Sequence, residues 1–410
     1  DIEYLKQAIK AINSPQDRRA VEAKLKQYCQ KKGIKPQIQG QSYLQAILYD
    51  ECDTFLGLSR DHKEIRKFNE MLISQGAYTK EEAVNLRAEQ AALQILEGDF
   101  ENAKDAVQQI KDPKVYAKVL QLVQTKYGGH LDNFLLSKMS QEKADLVQAE
   151  LAGNGMIAGD SAANVAFRLI QSSDFNIRAK GLMAIRNGDV AKKVDNMLKA
   201  HGSSLAKVME QFNKEKAEYK SKAAFWDGLA MFGGGYIAEH ISDRYRDNTD
   251  VSDNMYIEAT KAIPLTQKQK DAYNQAVKTF EECLNKMKAD YQEALDSQGV
   301  VSGAINAFCS VYNLGTTRDE IEARIEHDTE SLRLLKLAAQ GKLTKYVNGR
   351  EVVVSFEEVW KERQSDRVTA NAVTITNAVE TVRGKKEVTF DAKKVEKVEN
   401  KAQTLAAMDY

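Results

Sequence analysis

Proline is scarce in this chain of 410 residues, which contains only Pro15, Pro36, Pro113 and Pro264. Because proline removes a backbone donor and clashes with the preceding helical turn, its scarcity leaves long stretches free to form helices. Apolar residues make up 43% and charged residues 29% of the chain, a mixture that can bury a core. The length exceeds that of one typical core, so we expect two or three domains or one extended repeat array.

Cysteine is also rare and is never closely spaced. Cys29, Cys52, Cys283 and Cys309 lie far apart, and no two of them form a CxxC motif. Zinc and redox centres favour close spacing or spatial convergence, which this distribution does not indicate. We therefore expect buried, reduced thiols rather than metal ligands or disulfides.

Net charge is absent, because 59 Lys and Arg residues balance 59 Asp and Glu residues. This balance excludes a basic field over the whole protein, and we expect no nucleic-acid partner. The chain begins at Asp1 without a methionine or a signal-like apolar segment. From this we expect a soluble protein whose N-terminus has been removed and whose compartment is unknown.

Catalytic spacing is missing as well. The five histidines include no HxxxH or HExxH pair, Gly341-Lys342 lacks the rest of a phosphate-binding loop, and the glycine run 233–235 has no GxGxxG pattern. The sequence therefore predicts a protein that is not an enzyme. The alternative is an enzyme of unfamiliar design, since residues from separate helices can converge on a site that no spacing reveals.

Helix signals, in contrast, are abundant. Ser14-Pro15 supplies a cap and a first-turn proline, and Thr79 with Glu82 forms a capping box. Glycines after apolar stripes indicate helix ends. Together these signals predict helices over 15–33, 43–55, from a cap at Ser59 to Gly76, 80–98, 113–128, 141–153, 161–172, 175–187 and 190–201.

The longest predicted helix spans 267–298 and begins with a capping box of Thr266 and Gln269. Its apolar stripe keeps a three/four spacing and comprises Tyr273, Val277, Phe280, Leu284, Met287, Tyr291 and Leu295. This spacing suits an antiparallel helix of the same domain or an intermolecular coiled coil, and we favour the former.

The pattern changes after residue 341. Asn348-Gly349 lies between β-formers and predicts a hairpin, and 368–391 alternates apolar and polar residues as a strand or a pairing tail would. The predicted fold is mainly α, a multi-helical repeat array or bundle with a small β-hairpin near the C-terminus. We expect a helical repeat region over 1–212, a second helical region over 213–342, and a β element with a charged tail over 343–410.

Two loops each open an acidic capped helix and have similar sequences, Leu-Gly-Leu-Ser over 56–59 and Leu-Gly-Thr-Thr over 314–317. Together with the short breaks between predicted helices at 127–131 and 201–205, these loops resemble the five-helix repeat of the annexins. The resemblance covers about a third of the chain. The chain departs from the family because it lacks the full glycine-rich loop. The acidic residue expected about forty positions after the second loop would be Glu357, but the predicted hairpin lies between that loop and Glu357.

The annexin resemblance implies a peripheral phospholipid-binding protein that uses calcium. The loop oxygens would come from Gly57, Ser59, Gly315 and Thr316, and the carboxylate from Glu97. No cofactor other than this calcium is expected.

The most apolar stretch covers 223–238 and includes Phe225, Trp226, Met231 and Phe232. It is too short to span a bilayer. Its two interpretations are a buried helix broken by glycines and an insertion that exposes these four side chains to a partner. We therefore expect a non-enzymatic binding or scaffold protein whose helical surface binds another protein. The alternative is the annexin-like membrane protein.

Overall fold

The computed structural model describes residues 9–38, 40–52, 61–229, 254–297 and 318–363. The chain divides into two compact units, residues 1–171 (unit 1) and residues 172–410 (unit 2). The described part of unit 1 is helical, and unit 2 combines helices with a three-stranded antiparallel sheet. The predicted fold class, mainly α with a small β element, is confirmed.

Helices make up most of the described part of unit 1. They are α1 (Pro15–Lys32), α2 (Tyr43–Glu51), α3 (His62–Ser74), α4 (Lys80–Leu96), α5 (Phe100–Gln108), α6 (Pro113–Tyr127), α7 (Leu131–Lys138), α8 (Gln141–Gly153) and α9 (Gly159–Ile170).

The caps of unit 1 follow the sequence signals closely. The hydroxyl of Ser14 accepts a hydrogen bond from the backbone of Asp17, and Gly33 ends α1 in the left-handed region. Thr79 and Glu82 make both bonds of the predicted capping box. These side chains satisfy backbone groups that the helix itself leaves unpaired.

The predicted start of α3 was wrong. The helix begins at His62 with Asp61 as its cap, because the Asp61 carboxylate accepts a hydrogen bond from the Glu64 backbone at 3.0 Å, and Ser59 lies outside the described residues. Helix α2 ends at Glu51, four residues before its predicted end.

Helix α4 lies between two apolar clusters of unit 1. On one side Ala83, Leu86 and Leu93 pack with residues of α2 and α3. On the other side Ala88 and Ile95 pack with residues of α5 to α8. Because α4 contributes to both clusters, two of its faces are buried, and the polar residues Gln90 and Gln94 on it lie in the core.

Unit 2 begins with α10 (Phe175–Met183), α11 (Gly188–Ala200) and α12 (Leu205–Leu229). Strand β1 (Tyr256–Glu258) precedes the long helices α13 (Gln267–Ser297) and α14 (Arg318–Ala339). Strands β2 (Leu343–Val347) and β3 (Arg350–Val353) and helix α15 (Phe356–Arg363) follow.

Helices α13 and α14 form the predicted antiparallel pair within one domain. The ammonium of Lys336 lies 2.7 Å from the carboxylate of Glu281. The apolar stripe of α13 packs against Leu334 and Leu335 of α14 and against Phe356 of α15. Both bonds of the Thr266–Gln269 capping box are present.

The predicted hairpin is confirmed. Asn348 and Gly349 both have positive φ, 49° and 81°, as a two-residue turn with matching twist requires. The sheet order is β1-β2-β3, with Lys345 opposite Tyr256 on one side and Val352 on the other. The second predicted β segment, 368–391, and the charged tail lie outside the described residues.

Charged side chains connect the sheet region to α14. Glu330 forms ion pairs with Arg186 and Arg333, and Arg333 also donates to the carbonyl of Tyr256. Burial alone would raise the pKa of Glu330, but the two guanidinium groups outweigh it and lower that pKa far below its usual range. The predicted region boundary at 342/343 coincides with the start of β2, whereas the one at 212/213 falls inside α12.

Candidate functional site

Three helix ends meet on unit 1. Asp61 caps the start of α3, Gly98 with φ of 79° ends α4, and Asp99 caps the start of α5. This arrangement brings Nε2 of His62 to 2.7 Å from Oε2 of Glu97 at the end of α4. The same carboxylate oxygen accepts a hydrogen bond from the Asn102 amide at 3.0 Å.

The His62 ring is buried, and the Glu97 carboxylate fixes its tautomer. A carboxylate only accepts hydrogen bonds, so Nε2 carries the proton in this contact. Nδ1 is buried and has no hydrogen-bond partner among the described residues. An edge-on contact with the Tyr49 ring holds the imidazole from another side.

A cavity of about 510 Å³ lies beside this contact, and we call it the polar cavity. Every described residue that lines it is charged or carries a polar side chain, with both signs of charge present. These residues are Asp61, His62, Lys63, Gln94, Glu101, Asn102, Lys104, Asp105 and Gln108. Such a lining suits a polar ligand that presents donors and acceptors.

A second cavity of about 270 Å³ adjoins the first, and we call it the floored cavity. Its buried floor is formed by Ala91, Ala106, Ile110 and Val115. The other described residues that line it are polar or charged. They are Arg66, Glu70, Arg87, Gln90, Gln94, Gln109, Lys111 and Asp112. An apolar floor with a polar rim is typical of a pocket that receives one apolar group.

The two cavities share a wall. Gln94 lines both and is 1% exposed, and its amide donates to Asp105 at 2.6 Å. Asp105 also forms an ion pair with Arg66 at 2.9 Å. Since each member of this wall holds the next, its side chains are fixed before any ligand arrives. We refer to the two cavities with this wall as the paired cavities.

A chain of buried amides supports the wall from within. Gln45 donates to Asn69, and Asn69 donates to Gln90, each at 2.8 Å. Gln90 in turn donates to the carbonyl of His62 at 3.4 Å. Because an unpaired amide in the core is costly, these residues must keep their partners and so set the relative positions of α2, α3 and α4.

Two charged side chains at the rim of the floored cavity pair with each other. Arg87 makes a two-point contact with Glu70, with both distances 2.7 Å, and this contact raises the pKa of the guanidinium. None of the described residues that line the paired cavities is a serine, threonine or cysteine.

Most of the residues that the sequence analysis singled out lie elsewhere. Gly57, Ser59, Gly315, Thr316, Met231 and Phe232 are outside the described residues. Phe225 and Trp226 lie near the end of α12, where only the backbone is described.

Among the predicted calcium ligands, Glu97 is the described one, and its carboxylate contacts His62 and Asn102. Across the described ranges no three His, Cys, Asp or Glu side chains are placed to hold a metal ion. The calcium site and the annexin-like function therefore stay predictions.

Asn69, Gln90 and Gln94 were not among the predicted site residues. Their signal is positional. Asn69 follows Ile65 by four residues on the apolar stripe of α3, and Gln90 and Gln94 follow Leu86 at four-residue steps on α4. A carboxamide where the helical period calls for an apolar residue indicates a buried polar contact, and two such residues one turn apart indicate a shared network.

Comparison of the chain with family models, with curated proteins and with solved structures finds no match. In the described part of the chain, no helix is both long enough and apolar enough to cross a membrane.

Proposed function

We infer that unit 1 binds an extended peptide segment of a protein partner in the paired cavities and carries out no reaction on it. The observation that carries this proposal is the shared wall, where the buried Gln94 amide, fixed by Asp105, separates a polar cavity from an apolar floor. Alternate side chains of an extended peptide point to the same face, and two adjoining cavities on that face can receive one of them each.

Carboxamides favour a peptide over other polymers. An amide side chain both donates and accepts, and so it can pair with the N–H and the C=O of a peptide backbone. Asn102 and Gln108 present such groups at the polar cavity, and Gln109 presents one at the floored cavity. The mixed charges at both rims do not favour a polyanion, which would require a surplus of free basic groups.

Binding without catalysis is supported by the contacts of the charged side chains at the paired cavities. His62 contacts Glu97, Arg66 contacts Asp105, and Arg87 contacts Glu70. A general base must exchange a proton with its substrate, whereas Nε2 of His62 contacts Glu97 and Nδ1 is buried.

The proposal is tested by selecting linear peptides from a random display library on the full chain. The affinity of the selected peptides is then measured for the variants Gln108→Trp and Gln109→Trp. The first places an indole at the rim of the polar cavity, and the second places one at the rim of the floored cavity. We expect at least a tenfold loss of affinity for both variants, about 1.4 kcal/mol, because the indole occupies the space that the peptide needs.

The matched control is Gln121→Trp. Gln121 is exposed on α6 and lines neither cavity, so this variant adds the same indole to the same unit and should bind as the parent chain does. Peptides that bind all three variants equally well, or a selection that yields no peptide above background, would contradict the proposal.

A further inference from the structure

We propose that the floored cavity is an anchor site for one aromatic side chain of the bound peptide. This inference rests on the proposed function and adds the chemical class of residue that the partner must present. It follows from the size of the cavity, from the character of its floor and from the two guanidinium groups beside it.

The size of the cavity excludes a small anchor. Its volume of about 270 Å³ is many times the roughly 10–15 Å³ that a single water molecule requires. A leucine or valine side chain would leave much of this space empty, and an empty apolar site loses the dispersion contacts that its lining could make. A flat ring system fills the volume with the largest apolar surface for the fewest rotatable bonds.

The floor supplies the apolar contact. Ala91, Ala106, Ile110 and Val115 are each buried, and two of them are alanines, which leave the space above them free for a ring. Packing holds them in place, because all four belong to the apolar cluster that α4 forms with α5 to α8. The floor is therefore formed before a ligand binds.

The rim supplies the preference for an aromatic ring. Arg66 and Arg87 both line the cavity, and each is held by a carboxylate, Asp105 and Glu70 respectively. The two-point contact with Glu70 fixes the plane of the Arg87 guanidinium. A fixed guanidinium attracts the electron-rich face of an aromatic ring and gives no such gain with an aliphatic side chain.

The experiment uses the full chain with ¹³C-labelled alanine methyl groups and two small probes, N-acetyl-tryptophanamide and N-acetyl-leucinamide. We expect the tryptophan probe to shift the methyl signals of Ala91 and Ala106 with a Kd of about 1 mM, in the range of a very small ligand. The leucine probe should bind at least about fivefold more weakly, since it lacks the attraction to the guanidinium.

Two variants test the role of the guanidinium and the role of the floor separately. Arg87→Lys keeps the positive charge but removes the flat guanidinium, and we expect about a threefold to tenfold weaker binding of the tryptophan probe with little change for the leucine probe. Ala91→Leu fills the floor and should abolish binding of both. Arg168→Lys is the matched control, because Arg168 makes a comparable two-point contact with Asp145 and lines neither cavity.

The inference is overturned if neither probe moves the two methyl signals, or if the leucine probe binds as tightly as the tryptophan probe. It is also overturned if Arg87→Lys leaves the preference between the probes unchanged. A failure of this kind is distinct from failure of the proposed function, because peptides selected on the chain could then bind the paired cavities without an aromatic residue.

Discussion

Single residues in unit 1 show two ways of burying a polar group. Asn69 and Gln90 are uncharged and form a hydrogen bond with each other. Glu89, which precedes Gln90 on α4, is instead a half-buried carboxylic acid. Burial raises the pKa of Glu89 to about 7, the nearby Glu22 adds to this effect, and Lys118 opposes it in part. Above about pH 7 the ionised Glu89 carboxylate therefore lowers the free energy of unfolding.

Replacement of Glu89 by glutamine should stabilise the protein at pH 8. The folded-state pKa lies above the ordinary value of 4.5, so the side chain favours folding at low pH and loses this contribution as the pH rises from about 4.5 through about 7. We expect Glu89→Gln to raise the free energy of unfolding by about 1–3 kcal/mol at pH 8, allowing for partial exposure, and to change it little at pH 5. Urea unfolding followed by circular dichroism at the two pH values measures this difference.

Glu81→Gln is the control for this experiment. Glu81 is exposed on the same helix, so its replacement should shift the free energy of unfolding equally at pH 5 and pH 8. An effect of Glu89→Gln that does not depend on pH would contradict the buried-carboxyl explanation.

At the scale of elements, the joints between helices depend on glycine, but for two different reasons. Gly202 and Gly341 both have left-handed φ, 77° and 69°. Nothing lies near the position of a Cβ on Gly202, whereas a Cβ on Gly341 would overlap the carbonyl oxygen of Ile263. The second glycine is required by close packing as well as by its backbone conformation.

Gly341→Ala should therefore destabilise unit 2 more than Gly202→Ala does. Left-handed strain alone costs about 1–2 kcal/mol for alanine. The overlap with Ile263 should add about 1–3 kcal/mol for Gly341→Ala, because the backbone must move to make room. Equal losses of unfolding free energy in the two variants, measured in urea, would show that the backbone at 263 moves freely.

Elements were far easier to predict than the site. Caps such as Ser14 and Thr79 act on backbone groups within one turn, so their residue types alone predicted the helices. The cap of α3 was misplaced because Ser59 and Asp61 are both good caps two residues apart, and only packing decides between them. The paired cavities were not predicted, because Arg66, Gln94 and Asp105 are ordinary surface types until three helices bring them together.

At the scale of the whole molecule, each unit has an apolar core of its own. The clusters around α4 draw only on residues of unit 1, and the cluster around α13 and α14 draws only on residues of unit 2. Both tryptophans, Trp226 and Trp360, belong to unit 2. Tryptophan fluorescence therefore reports on unit 2, and circular dichroism reports on both units.

Fragments 1–171 and 172–410 should each fold, because a domain with its own core can fold alone. We expect a cooperative thermal transition from each fragment by circular dichroism. The fluorescence transition of the full chain should match that of fragment 172–410.

A cut at 212/213 is the control. It removes the Arg186–Glu330 ion pair and the bridge between Asn187 and Glu258 from the C-terminal piece, and it divides α12. Fragment 213–410 should therefore melt at a lower temperature and with less cooperativity than fragment 172–410. The same transition in both pieces would contradict the boundary at 171/172.

The amide chain of Gln45, Asn69 and Gln90 has one further consequence. Carboxamides do not titrate and carry no net charge, so neither acid nor added salt alters their pairing in the range where proteins work. The alignment of α2, α3 and α4 beneath the paired cavities should thus persist when the ion pairs at the rim weaken. Ionic strength would then change the affinity for a partner but not the specificity of binding.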